Sequence, residues 1–160
     1  MDKPSMFEQS HSLIAGAKII IDSDGINDNG VRRKPSTPVI LSCAFAIEVC
    51  LKLLLIQETE DAGHGHNLEV LFEKLPKELL NRIVDQFLAQ NPDENRDSLN
   101  TNLSNHKNIF VNWRYAFENT NLLECSPNFL YSLAYSLNTF IEENYDFERN
   151  DNGWLTVENS

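Results

Sequence analysis

Residues 39–56, VILSCAFAIEVCLKLLLI, constrain this chain more than any other stretch. The run follows Pro38, contains no Gly, and carries only two charges, Glu48 and Lys52. Its apolar residues surround the helical axis instead of marking one face. Such a helix must be packed on several sides or sit in lipid. Two charges inside a run of barely spanning length favour a buried core helix over a membrane span. Glu48 and Lys52 stand four apart with the acid first, the favourable order for a helical pair. On so apolar a helix, the pair is expected to snorkel to the surface or to line a polar groove.

A polar break over 57–63 ends this helix, and GHGHNLEVLFEKL (63–75) follows. His66 or Asn67 is placed to cap a short helix with Leu68, Leu71, Phe72 and Leu75 on its apolar face. The helical spacing of apolar residues predicts further helices on either side. The first covers residues 5–22, with His11 one turn after Phe7 and expected to be partly buried and satisfied. Another begins after Pro76 and runs through Leu88, stopped by Pro92. Residues 94–119 read as one long helix with Leu99, Leu103, His106, Phe110, Trp113 and Phe117 on one stripe. Arg114 lies at the edge of that stripe, about 12 Å from His106 along the axis. Pro127 opens a last helix that carries Phe129, Leu130, Leu133, Leu137, Phe140 and Ile141. Residues 23–36 contain two Asx-Gly pairs and a Pro and read as a loop. No strand and no repeat is read from the pattern.

At 160 residues the chain is long enough for one sizeable core. The net charge of −11 excludes a protein that coats nucleic acid electrostatically, though not a small local site. Acid gathers late: residues 118–160 hold eight acids against Arg149, a net of −7. Arg32, Arg33 and Lys34 form the basic run, a candidate contact for an anion or an RNA backbone. Three cysteines, Cys43, Cys50 and Cys125, make no disulfide framework or metal knuckle and point to a reducing compartment. The first residues lack the layout of a signal peptide.

Standard enzyme signatures are missing. There is no Gly-rich phosphate loop, no G-x-S-x-G elbow and no H-E-x-x-H. Asp61, His64 and His66 carry the right atoms for a first-row metal. A lone H-x-H on a turn is weak support, and no metal is expected.

The order AFAIEVCLKLLL (44–55), a polar break, then GHGHNLEVLFEKLP (63–76) resembles the HEPN superfamily. Ala46, Glu48, Leu51, Lys52, Leu54 and Leu55 follow that family's A-x-E-x-x-L-K-x-L-L pattern. Gly65, His66, Leu68 and Leu71 follow its G-H-x-L-x-x-L. FVNWRYAFE (110–118) is similar to a late W-R-Y-x-x-E segment. The resemblance covers roughly residues 5–145. It implies a small all-helical domain acting as a dimer, in many members a metal-independent ribonuclease of toxin or phage-defence systems. Those members use an Arg-x4–6-His motif near the dimer interface. Arg stabilises the phosphorane charge and His acts as general acid or base. This chain departs from the motif: Asn119, Thr120 and Asn121 stand where the His would follow Arg114.

The expected architecture is all-α: an antiparallel four- to five-helix bundle, HEPN-like, with short accessory helices, over 1–149, followed by a polar tail, 150–160. The tail's Trp154, Leu155 and Val157 are expected to dock or to reach a partner. The chain reads as a cytoplasmic homodimer without cofactor, metal or membrane contact. The leading function is a degenerate or non-catalytic module that binds RNA, a nucleotide or a protein partner in a toxin–antitoxin or phage-defence setting. The binding candidates are Glu48, Lys52, His64, Asn67, Arg32, Arg33 and Lys34. One alternative is a metal-independent endoribonuclease using Arg114 with His106 or His66. The other is a purely structural dimerisation module.

Overall fold

The computed structural model describes residues 1–115, apart from the Arg114 side chain, and 125–158. Among these, seven helices and one small hairpin form a mostly helical fold. Helices α1 (Lys3–Asp22), α2 (Ser36–Thr59) and α7 (Pro127–Asn144) pack against one another as its centre. Around them lie α3 (Leu68–Glu73), α4 (Lys77–Gln90), α5 (Arg96–His106) and α6 (Ile109–Arg114).

α2 is the helix expected from residues 39–56, longer by three residues at each end. It packs on α1, α7, α3 and α6, which is why apolar residues occupy its whole circumference. Ala46, Ile47, Cys50 and Leu51 have no exposed surface. By length and composition α2 could cross a membrane, but 72% of its apolar window is buried inside the fold. That is the disposition of a core helix. Each fully buried Leu or Ile contributes about 1.5–3 kcal/mol relative to exposure.

The helix starts follow their caps. Pro4 and Pro127 occupy first-turn positions, where a missing N–H costs nothing. Ser126 caps α7 by accepting from the Phe129 N–H at 3.2 Å. Asn95 and Ser98 form a reciprocal capping box at the start of α5, both bonds 2.9 Å.

Two expectations are corrected. Residues 23–36 are not all loop. Ile26–Asp28 (β1) and Val31–Arg33 (β2) pair antiparallel, Ile26 opposite Arg33 and Asp28 opposite Val31. Asn29 and Gly30, with φ of +52° and +82°, make the two-residue turn. Both positive angles match the twist of a tight hairpin, so the Asn-Gly pair was a strand signal. Residues 94–119 are not one helix. α5 ends at His106 and α6 begins at Ile109. The Lys107 carbonyl accepts from the Leu68 backbone N–H at 2.8 Å, so a tertiary bond replaces the helical one at the break. Residues 116–119 of that expected helix lie outside the described residues.

The C-terminal segment docks on α1. Trp154 Nε1 donates to Glu8 at 2.9 Å, Arg149 pairs with the same carboxylate, and Phe147 meets Phe7 with ring centroids 5.9 Å apart. Leu155 and Val157 remain 93% and 84% exposed.

Candidate functional site

Glu48 lies halfway along α2 and is 3% exposed. Removing a carboxylate from water costs several kcal/mol unless it is paired. Two side chains pair it. Lys52 Nζ, one turn on, is 2.8 Å from Oε1. His66 Nδ1 is 2.9 and 3.0 Å from the two carboxylate oxygens. A carboxylate only accepts, so Nδ1 carries the proton and donates it, leaving Nε2 with a lone pair. The His66 side chain is 57% exposed and the Lys52 side chain 21%, so the cluster opens to solvent on one side.

The turn that delivers His66 is set by local chemistry. α2 stops at Glu60, whose φ of +63° is left-handed. Gly63 also has positive φ, and a Cβ there would lie 3.0 Å from Leu71 and 3.3 Å from Leu55. Asp61 Oδ1 accepts from the Gly63 N–H at 2.9 Å. Asn67 caps α3, accepting from the Val70 N–H at 3.1 Å. His66 therefore sits immediately before a fixed helix start, and Asn67 acts as the cap.

Aromatic rings border the cluster. The His66 ring centroid is 6.3 Å from that of Phe110 on α6, and Phe110 stacks on Phe45 of α2 at 5.7 Å. Arg114 closes α6 one turn after Phe110. Its side chain lies outside the described residues.

The remaining candidates fall elsewhere. His106 is 4% exposed and both ring nitrogens are engaged. Nδ1 donates to the Asn102 carbonyl at 2.7 Å, and Nε2 accepts from the Ser126 N–H at 2.9 Å. Its ring packs on Phe129, centroids 5.2 Å apart. This geometry supports a structural role, tying the end of α5 to the start of α7. His64 is exposed and has no bonded partner among the described residues. With Asp61 turned to Gly63 and His66 to Glu48, no three His, Cys, Asp or Glu among the described residues are arranged to hold a metal ion.

Arg32, Arg33 and Lys34 sit on the hairpin and the residue after it. Arg33 pairs with Asp28 at 3.5 Å, Arg32 donates to the Asp24 carbonyl at 3.3 Å, and Lys34 donates to the Ile21 carbonyl. Glu48 is twelve residues along α2 from Ser36, about 18 Å at the helical rise. The basic run and the Glu48 cluster are thus separate along that helix.

Burial pushes the Cys43 and Cys50 thiols up to about 12, and Cys125 to about 11. None is thiolate near neutrality, so none is primed as a nucleophile.

His11 is the feature that sequence reasoning undervalued. It is half-buried as expected, but among the described residues only Nδ1 has a hydrogen-bond partner, Asn138 Oδ1 on α7 at 2.9 Å. The only sequence signal was its place beside the apolar face of α1, a turn from Phe7. Its Asn138 partner is 127 residues away. Comparison of the chain with protein-family models, with curated proteins and with solved structures found no match.

Proposed function

We propose that this chain is a HEPN-like antiparallel helical bundle, cytoplasmic and dimeric, that binds single-stranded RNA or a nucleotide. The site is the face where α2, α3 and α6 meet, and the setting is a toxin–antitoxin or phage-defence system. One observation carries the reading. His66 is exposed, held by the buried carboxylate of Glu48, and placed beside the stacked Phe45–Phe110 pair. Aromatic faces stack with bases irrespective of sequence. Lys52 Nζ keeps N–H donors beyond its bond to Glu48 and can offer one to a phosphate, while His66 Nε2 accepts from a base N–H or a 2′-hydroxyl, although the chain as a whole is acidic. With so few cations, affinity should depend on salt only weakly, with a slope corresponding to about one or two phosphate contacts.

The test is a titration of labelled single-stranded oligoribonucleotides at two salt concentrations, in EDTA. Wild type should bind. Lys52→Ala and His66→Ala should each weaken binding about tenfold, the equivalent of 1.4 kcal/mol. Arg32→Ala with Arg33→Ala should change it little, because those side chains sit on the distant hairpin. No binding by any oligonucleotide, or by a mononucleotide titrated alongside, would refute the proposal and leave a protein partner or plain dimerisation as the role.

A second reading, a metal-independent endoribonuclease, is favoured by the His66 tautomer. Glu48 accepts the hydrogen bond from Nδ1–H, so Nε2 keeps its lone pair and can act as general base on a 2′-hydroxyl. Arg114 would then stabilise the pentacoordinate phosphate. Cleavage in EDTA that is lost in both His66→Ala and Arg114→Ala distinguishes this reading from binding alone.

A further inference from the structure

A cavity that shares no residue with the Glu48 cluster lies between α1 and α7. Its volume is about 240 Å³, and His11, Ile14, Tyr131, Tyr135, Asn138 and Thr139 line it. An apolar cavity of roughly 150 Å³ already holds benzene, so one or two fused rings fit here.

The polar side of this cavity has a fixed direction. Ser10 Oγ donates its proton to the Phe7 carbonyl at 2.8 Å. It can therefore only accept from Asn138 Nδ2, 3.1 Å away. That orients the Asn138 amide so that Oδ1 faces His11 and accepts from Nδ1–H at 2.9 Å. Asn138 is 5% exposed and Ser10 has no exposed surface, so the relay is built into the core. His11 is left with an Nε2 lone pair that has no hydrogen-bond partner among the described residues. Phe7 and Trp154 hold its ring, with centroids 5.9 and 5.6 Å away.

The other walls define the occupant. Tyr131 and Tyr135 stack at 6.1 Å with 22° between their planes, and Tyr135 is 47% exposed. They offer a flat aromatic surface in the cavity that His11 also lines. The charges at the rim are already matched: Lys18 pairs with Asp22 at 2.7 Å, and Glu142 with Arg149 at 3.7 Å. A phosphate or carboxylate would meet a carboxylate beside each of these cations. We propose that the α1–α7 groove is a binding site for a small, neutral, flat heteroaromatic molecule that donates a ring or exocyclic N–H to His11 Nε2.

The test uses full-length protein and three probes at neutral pH: adenine and indole, which carry an N–H, and quinoline, a similar flat bicycle without one. The histidine and tyrosine ring signals are followed by NMR. Adenine and indole should shift His11, Tyr131 and Tyr135, and quinoline should bind at least tenfold more weakly. His11→Phe retains the ring and removes the acceptor. It should weaken adenine at least tenfold and abolish the preference over quinoline. Tyr135→Ala, at an exposed position, should weaken all three probes. Absence of shifts at His11 and the two tyrosines, or a preference for N–H that survives His11→Phe, overturns the proposal. If His11→Phe does not fold, unchanged adenine binding in Tyr135→Ala overturns it alone.

Discussion

The Leu68 backbone N–H reaches across to the Lys107 carbonyl at 2.8 Å. One bond therefore fixes the start of α3 against the break between α5 and α6. Lys107 reinforces it with an ion pair to Glu69 at 3.3 Å. Because the chain turns at that break, Phe110 comes beside His66, the residue two before Leu68. The site thus depends on a helix that stops.

The His66 turn should be sensitive at Gly63 and less so at Gly65. Both have positive φ, which costs an L-residue about 1–2 kcal/mol. At Gly63 a Cβ would also press on Leu71 and Leu55, whereas at Gly65 it meets nothing within 4 Å. Gly63→Ala should therefore lower unfolding stability more than Gly65→Ala, as measured in urea. Equal losses would mean that Gly63 is not needed for close approach.

His106 should matter for folding and not for the site. His106→Ala removes two buried hydrogen bonds and the packing against Phe129, a loss of about 2–4 kcal/mol. RNA affinity per folded molecule should be unchanged. A stable His106→Ala protein with lost binding or cleavage would return His106 to the functional set.

Docking of the C-terminal segment should weaken in acid. Burial raises the Glu8 carboxyl, but hydrogen bonds from Arg149 and Trp154, the Arg149 charge and the Asn150 backbone together outweigh it. The net result lies below the ordinary value of 4.5. A carboxylate with a lowered folded pKa stabilises the fold above its unfolded pKa, and that contribution is lost as pH falls through the folded value. Trp154 fluorescence should report a native segment at and above pH 4.5 and its progressive release as pH falls through the lower folded value. Glu8→Gln should lower Tm at neutral pH and converge with wild type at low pH. A constant difference across that range would contradict the assignment.

The sequence made some of this arrangement legible and concealed the rest for physical reasons. α2 was readable because an all-round apolar helix has few places to go. The Glu48–Lys52 pair was readable because i, i+4 neighbours are local. A cap just before Leu68, left open between His66 and Asn67 until the structure assigned it to Asn67, and Pro127 as a start, follow from chemistry within four residues. The hairpin was concealed because strands of three exposed residues carry no buried alternation, leaving only Asn29-Gly30 as its mark. The helix break at Lys107 was concealed because its cause, Leu68, is 39 residues earlier. The engagement of His106 by Ser126 and of His11 by Asn138 was concealed likewise, since each partner comes from α7 or the residue before it.

The most direct test of the central claim is the ring NMR spectrum of the chain's four histidines during titration with single-stranded RNA. The account predicts that His66 shifts with saturable binding, that His106 does not move, and that Lys52→Ala reduces the affinity read at His66. RNA binding that leaves His66 unmoved, or no binding at all, would contradict it.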